Sequence, residues 1–250
     1  MREQIDTAPV IEAFDSADEC PFCYLERMAE QRTVRYVLGP SASYMEPDVR
    51  ADTDKRGFCR EHYQKLYDYG NALGNALIMQ THLAGLLEGL QVEVETLQMP
   101  DKRPFFGKPK QDNLTTLEVW LKQQEKSCFV CNRIDYHMRR YYVTWFTLIQ
   151  DPAFREKVEK GKGCCLRHLA QLLEQARPFL PNSMREWFYG TVPAVCLQNL
   201  VRVKADLDHF VEMFDYRNAG ADWGNSRDAV SRAMEKLAGL HPADPPYKQS

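Results

Sequence analysis

Two copies of one ligand pattern constrain this chain more than any other feature. Cys20-Pro21-Phe22-Cys23 is followed by Gly57-Phe58-Cys59-Arg60-Glu61-His62. Cys128-Phe129-Val130-Cys131 is followed by Gly163-Cys164-Cys165-Leu166-Arg167-His168. Each half thus offers C-x-x-C and then C-x-x-H, the first pairs offset by 108 residues and the second by 106. Seven of the eight cysteines stand in or beside these motifs, so a metal-binding framework organises the sequence. Zinc takes four nitrogen or sulfur ligands in a tetrahedron, and a C-x-x-C turn supplies two thiolates at once.

The simplest grouping closes one site within each half. Cys20, Cys23, Cys59 and His62 would form the first, and Cys128, Cys131, Cys165 and His168 the second. Between the pairs lie 35 residues in one half and 33 in the other, enough for a helix and a shorter return. Each pair stands at the start of an expected helix, where the positive end of the helix dipole favours thiolate over thiol. A structural zinc site contributes about 10–16 kcal/mol of apparent binding energy, which rivals the roughly 5–15 kcal/mol total stability of a domain. Three thiolates and a histidine can also hold an iron–sulfur cluster, and Cys-Pro-Phe-Cys alone has the form of a redox dithiol. The second copy lacks that proline, and a redox dithiol leaves the C-x-x-H pairs unexplained. Cys164 aligns with Phe58, so Cys165 is read as the ligand and Cys164 as a buried thiol or spare ligand. Cys196 falls on an apolar helical stripe and reads as core.

The rest of the chain reads as helix. No Asn-Gly hairpin signal lies between strand-like runs. Helices are expected over 23–38, 48–55, 61–97, 114–126 (capped by Asn113), 132–150, from Pro152, over 166–176, 193–214 and 226–240 (capped by Ser226). On the long 61–97 stretch, Leu66, Tyr69, Leu73, Ala76, Leu83, Leu87, Leu90, Val94 and Leu97 fall on alternating steps of three and four, with Gln80 the one polar break. That is a heptad seam. It either buries against the protein's own second half or pairs with another subunit. Residues 99–113 hold three prolines and read as a linker. There Lys102, Arg103, Lys108 and Lys110 interleave with Phe105 and Phe106. The expected organisation is an all-α protein of two related metal-pinned units, residues 1–98 and 114–250. Acid-Pro-x-apolar-Arg also recurs, as Glu46 to Arg50 and as Asp151 to Arg155, at an offset of 105. Two pieces repeating in order point to duplication of a helical unit.

Composition narrows the function classes. A net charge of −3 gives no global pull toward nucleic acid or acidic membranes, so neither is an expected partner. No apolar run is long enough to span a membrane, and Met1 to Ala13 lacks the pattern of a signal peptide. The expected compartment is the cytoplasm, where clustered thiols stay reduced and serve as ligands or redox groups. No phosphate-binding glycine loop, Ser/His/Asp constellation or carboxylate pair stands in a catalytic context. The reading is a zinc-binding, non-enzymatic scaffold whose helical faces meet a protein partner or a second copy. An iron–sulfur or thiol-based responsive protein is the alternative.

The elements Cys-Pro-Phe-Cys, Glu-Pro-Asp-Val-Arg and Gly-Phe-Cys-Arg-Glu-His together resemble a family of uncharacterised bacterial proteins known only as a domain of unknown function. In that family CPxC, DPxxR and GFCxxH elements follow one another, often in tandem. Phe214-Asp215-Tyr216-Arg217 and the ending around 237–247 are also similar to it. The second half departs from the pattern at Phe129-Val130 and at Cys164. The resemblance implies a shared architecture and brings no activity.

Overall fold

The computed structural model describes residues 6–99 and 114–239. Among these residues the chain forms eleven α-helices, three short 3-10 turns and no strand, the all-α class expected. The helices are α1 (Thr7–Asp15), α2 (Pro21–Leu38), α3 (Pro47–Arg56), α4 (Arg60–Tyr69), α5 (Ala72–Glu95), α6 (Thr116–Lys126), α7 (Phe129–Leu148), α8 (Pro152–Lys160), α9 (Leu166–Phe179), α10 (Arg185–Glu212) and α11 (Ala229–Ala238).

Several expected boundaries move, each for a local reason. The single helix expected over 61–97 is broken between α4 and α5. Gly70 takes φ 90° and ends α4, a left-handed conformation that glycine adopts without a Cβ clash. Asn71 then caps α5, its side chain accepting from Gly74 N. α6 is capped by Thr115 rather than Asn113. Thr115 and Glu118 form a reciprocal capping box, which satisfies two otherwise orphaned amides. α10 starts at Arg185 and contains Pro193 internally, so the proline does not mark its start. The last helix begins at Ala229 rather than at Ser226. Prolines 47 and 152 each open a short helix, α3 and α8, where a missing amide hydrogen costs nothing. Except for Met99, the expected linker and its Lys and Phe side chains lie outside the described residues.

The described residues divide into two compact units that do not follow the expected halves 1–98 and 114–250. One is made of the chain as far as Ala29 together with the chain from Asp135, the other of Glu30–Ile134. Both α2 and α7 therefore contribute to two units.

In the first unit Phe22, Trp145, Phe146 and Phe188 are all but completely buried. Phe22 meets Trp145 edge-on at 6.1 Å, and Trp145 meets Phe188 at 6.0 Å. Such aromatic clusters combine large apolar burial with edge-to-face attraction. α11 packs on α9 and α10 and carries a charged clamp. Lys236 is fully buried. Its Nζ donates to the carbonyls of Glu19 (2.6 Å) and Lys162 (2.5 Å) and lies 3.4 Å from the Glu19 carboxylate. Arg202 pairs with the same carboxylate.

In the second unit the core is aliphatic, with Val34, Val37, Leu38, Leu66 and Ile78 buried beside Phe58 and Phe129. α5 packs on α3 and α4 through Gly74, Asn75, Ile78 and His82. Beyond His82 none of its side chains is fully buried, and α6 lies alongside. Leu66 and Tyr69 of the expected heptad seam are buried, but from Leu73 onward the seam faces outward.

Candidate metal centres

All four cysteine motifs occupy the same place in their helices. Cys59 and Cys165 are the N-cap residues of α4 and α9, which puts His62 and His168 three positions on, in the first turn. Cys20 and Cys128 immediately precede α2 and α7, with Cys23 and Cys131 in the corresponding first-turn place. An N-cap side chain and one three residues later lie over the same helix end, as in a capping box. Here cysteine and histidine stand where serine and glutamate usually do. The Cys131 amide donates toward Cys128 Sγ (3.5 Å) and the His168 amide toward Cys165 Sγ (3.4 Å).

The eight residues gather into two groups of four, but not by halves. Cys20 and Cys23 meet Cys165 and His168, while Cys59 and His62 meet Cys128 and Cys131. The expected groupings of Cys20 and Cys23 with Cys59 and His62, and of Cys128 and Cys131 with Cys165 and His168, are therefore corrected to a crossed arrangement. The reason lies in helix lengths. α2 has 18 residues and α3 only 10, so at 1.5 Å per residue the outward run is about 27 Å and the return about 15 Å. α7 and α8 have 20 and 9 residues, the same imbalance. Each C-x-x-H pair therefore stops beside the middle of its own long helix. His62 Nε2 lies 2.9 Å from Glu30 Oε1, well along α2. Gln171 of α9 accepts from the Tyr142 hydroxyl, well along α7. Each C-x-x-C is then completed by the other half.

In the first-unit group, His168 Nδ1 is 3.5 Å from Cys20 Sγ, 3.3 Å from Cys23 Sγ and 3.2 Å from Cys165 Sγ, and Cys23 and Cys165 sulfurs are 3.7 Å apart. All four residues are buried. α11 closes over this group. Glu235 Oε1 accepts from Cys20 N at 3.1 Å. Gly239 takes φ 80°, and a Cβ there would stand 3.3 Å from Cys165 Sγ. The Phe22 ring lies 5.9 Å from the His168 ring. Glu26, held by Arg167, has a carboxylate oxygen 3.6 Å from His168 Nε2, too long for a hydrogen bond.

In the second-unit group, His62 Nδ1 is 3.1 Å from Cys59 Sγ and 3.4 Å from both Cys128 and Cys131 Sγ, and Cys59 and Cys131 sulfurs are 3.9 Å apart. The two loops are tied directly, since Phe129 N donates to Gly57 O at 2.9 Å. Gly57 takes φ 56°, and a Cβ there would stand 2.3 Å from His82 Nε2, so only glycine fits that approach. Glu30 bridges His62 Nε2 and Lys65 Nζ.

Without a metal each group shares protons unevenly. Hydrogen bonds from Cys131 and then His62 hold the Cys128 thiol down at about 3, against the opposing effect of burial. Burial disfavours a charge on His62, but hydrogen bonds to Cys128 and Glu30 lift its pKa to about 10. Cys131 is pushed up by the neighbouring Cys128 sulfur. In the other group Cys165 is held low by Cys20 and Cys23, burial pushes Cys20 up, and Cys165 and Cys20 push Cys23 up. One thiolate thus forms readily in each group, while Cys131, Cys20 and Cys23 favour the protonated thiol, which a bound cation would displace.

Cys164 belongs to neither group. Its Sγ lies 3.2 Å from that of Cys196, both buried, as fits core thiols. The carboxylates Glu26 and Glu30 were not singled out from the sequence. Their one visible signal is their spacing four apart on the helix that opens with Cys20-Pro21-Phe22-Cys23. A cleft of about 430 Å³ between α4 and α5, lined by Tyr63, Tyr67, Met79, His82 and Leu83 among others, carries no carboxylate or thiol in its wall.

A family sequence model described as "Family of unknown function (DUF6062)" matches residues 1–244. The chain belongs to that DUF6062 family. The DUF6062 chain is also 23% identical over 227 residues, 89% of its own length and 96% of the relative's, to a protein of Caldicellulosiruptor sp. (strain Rt8B.4) described as "Uncharacterized 23.9 kDa protein in xynA 3'region". No solved structure matches it. Among the described residues of this DUF6062 chain, no helix is long and apolar enough to cross a membrane.

Proposed function

We propose that this protein is a zinc-holding helical scaffold, with one zinc ion in each Cys3His group and no catalytic role for either. The observation that carries this reading is the size of the groups. All four candidate ligand atoms of each lie within 4.8 Å of one another, and one sulfur pair in each stands at 3.7 Å (Cys23 and Cys165) or 3.9 Å (Cys59 and Cys131). Zn–S bonds of 2.3 Å in a tetrahedron put sulfurs about 3.8 Å apart. An iron–sulfur cluster spreads its terminal thiolates over several irons and needs a wider frame, so the dimensions favour a single ion. Four protein ligands leave no position for water or substrate, which is the pattern of a structural site. Glu30 on His62 Nε2 adds the carboxylate that commonly orients a metal-bound histidine. Full burial of the first-unit group, and of His62 and Cys128 in the second, suits a metal that serves the fold, leaving helical faces to a protein partner.

Elemental analysis of anaerobically purified, untagged protein tests this, with paired variants reading out the crossed arrangement. The expected result is two zinc per chain, falling to one in Cys20→Ser and in Cys59→Ser. Cys20→Ser with Cys165→Ser, both in one group, is expected to keep one zinc. Cys20→Ser with Cys59→Ser is expected to keep none. Iron with sulfide, or no metal in the unsubstituted protein, overturns the reading.

A further inference from the structure

The heptad seam of α5 is the largest feature that the metal reading leaves unused. Leu73, Leu83, Leu87, Leu90, Val94 and Leu97 are all exposed, as are the two seam positions between them, Ala76 and Gln80. α5 packs into its own unit through a different face, that of Gly74, Asn75, Ile78 and His82. α6 covers the continuation of that same face, where a Cβ on Gly89 would stand 3.0 Å from Trp120. A helix needs apolar residues only where it packs, yet here a regular 3-4 spacing runs along the outward face for the whole helix. The six side chains expose roughly 600 Å², at the top of the range for a monomer's largest apolar patch and approaching the about 800 Å² each partner gives to a stable interface.

We propose that this seam is the interface between two copies of the chain, α5 against α5 in antiparallel orientation. The spacing is self-complementary in that register. Ala76 meets the partner's Val94, Gln80 the partner's Leu90, and Leu83 the partner's Leu87, which sets the first-type heptad position of one helix against the second-type position of the other along α5. Charge selects the orientation. α5 carries Glu88, Glu93 and Glu95, all in its last third, and no lysine or arginine. A parallel pair would gather the glutamates of both helices at one end, whereas the antiparallel pair sets them alongside the partner's uncharged first half. The helix dipoles then also oppose one another. Gln80 is the register device, since a polar residue in a seam costs stability but disfavours slipped pairings.

This names the partner of the scaffold reading and rests on it only in taking both units as folded, so zinc content is measured on every sample. Light scattering after size exclusion is expected to give twice the 29.0 kDa chain mass for the full-length protein. Leu87→Glu is expected to run at the chain mass, with unchanged helical circular dichroism and two zinc retained. Its dissociation constant should rise about 100-fold or more, because a carboxylate would be buried unpaired. Leu83→Lys should behave alike. Mixing the Leu83→Lys chain with the Leu87→Glu chain is expected to restore the dimer, because position 83 faces position 87 only in the antiparallel register. A monomeric wild type holding two zinc refutes the pairing and leaves the metal sites standing. A dimer that survives Leu87→Glu, or a mixture that stays monomeric, also refutes it.

Discussion

Glu30 and Glu26 sit one turn apart on α2, yet their relations to the two histidines differ. Glu30 accepts directly from His62 Nε2 at 2.9 Å, whereas Glu26 stands 3.6 Å from His168 Nε2 and is engaged by Arg167. A carboxylate hydrogen-bonded to a metal-bound imidazole is commonly worth 10–100-fold in metal affinity. Glu30→Gln is therefore expected to weaken zinc binding at the second-unit group by about that factor, and Glu26→Gln to change the first-unit group much less. Chelator competition resolves the two, and equal losses would show that hydrogen bonding to the histidine is not what sets affinity. The eight gathered residues were legible because sulfur and imidazole have few other reasons to recur at that spacing. The glutamates were not, because a carboxylate on a helix is ordinary until a tertiary neighbour gives it a task. For the same reason Cys164 could be set aside on alignment with Phe58, but its contact with Cys196 could not be foreseen.

At the level of helices, local chemistry foretold starts better than partners. Proline at the first turn placed α3 and α8, and cysteine before a helical run placed α2, α4, α7 and α9. The break at Gly70 was hidden by the heptad pattern, which continues through it in sequence while the backbone turns. Leu66 and Tyr69 then fall on a buried face and Leu73 onward on an exposed one. α11 gave little sign of its role. It closes over the first-unit group through Glu235, Lys236 and Gly239, and its one buried lysine answers the buried Glu19. Removing Lys236 takes one charge partner from the buried Glu19 carboxylate and a donor from two carbonyls, leaving the carboxylate to Arg202 at its more exposed edge. Lys236→Met is therefore expected to destabilise the first unit by about 3–5 kcal/mol. Urea titration of the zinc-loaded protein measures this. A loss under about 1 kcal/mol would mean that Arg202 alone suffices to hold Glu19.

Across the whole molecule the crossed arrangement changes what a fragment can do. Residues 1–98 contain half of each group, and so do residues 114–250. Either fragment alone is expected to hold no zinc at affinities near those of the full chain, and mixing the two is expected to restore two ions. A fragment that binds one ion tightly by itself would return the pairing to the within-half scheme. That scheme failed because spacing along a chain says which residues form a set, but helix lengths decide which set each one joins. The same crossing imposes a timetable on synthesis. Cys23 leaves the ribosome 145 residues before His168, which at 5–20 residues per second is about 7–30 s. Through that interval Cys20 and Cys23 wait as an adjacent pair of open thiols, and their survival depends on the reducing power of the surroundings, not on the fold.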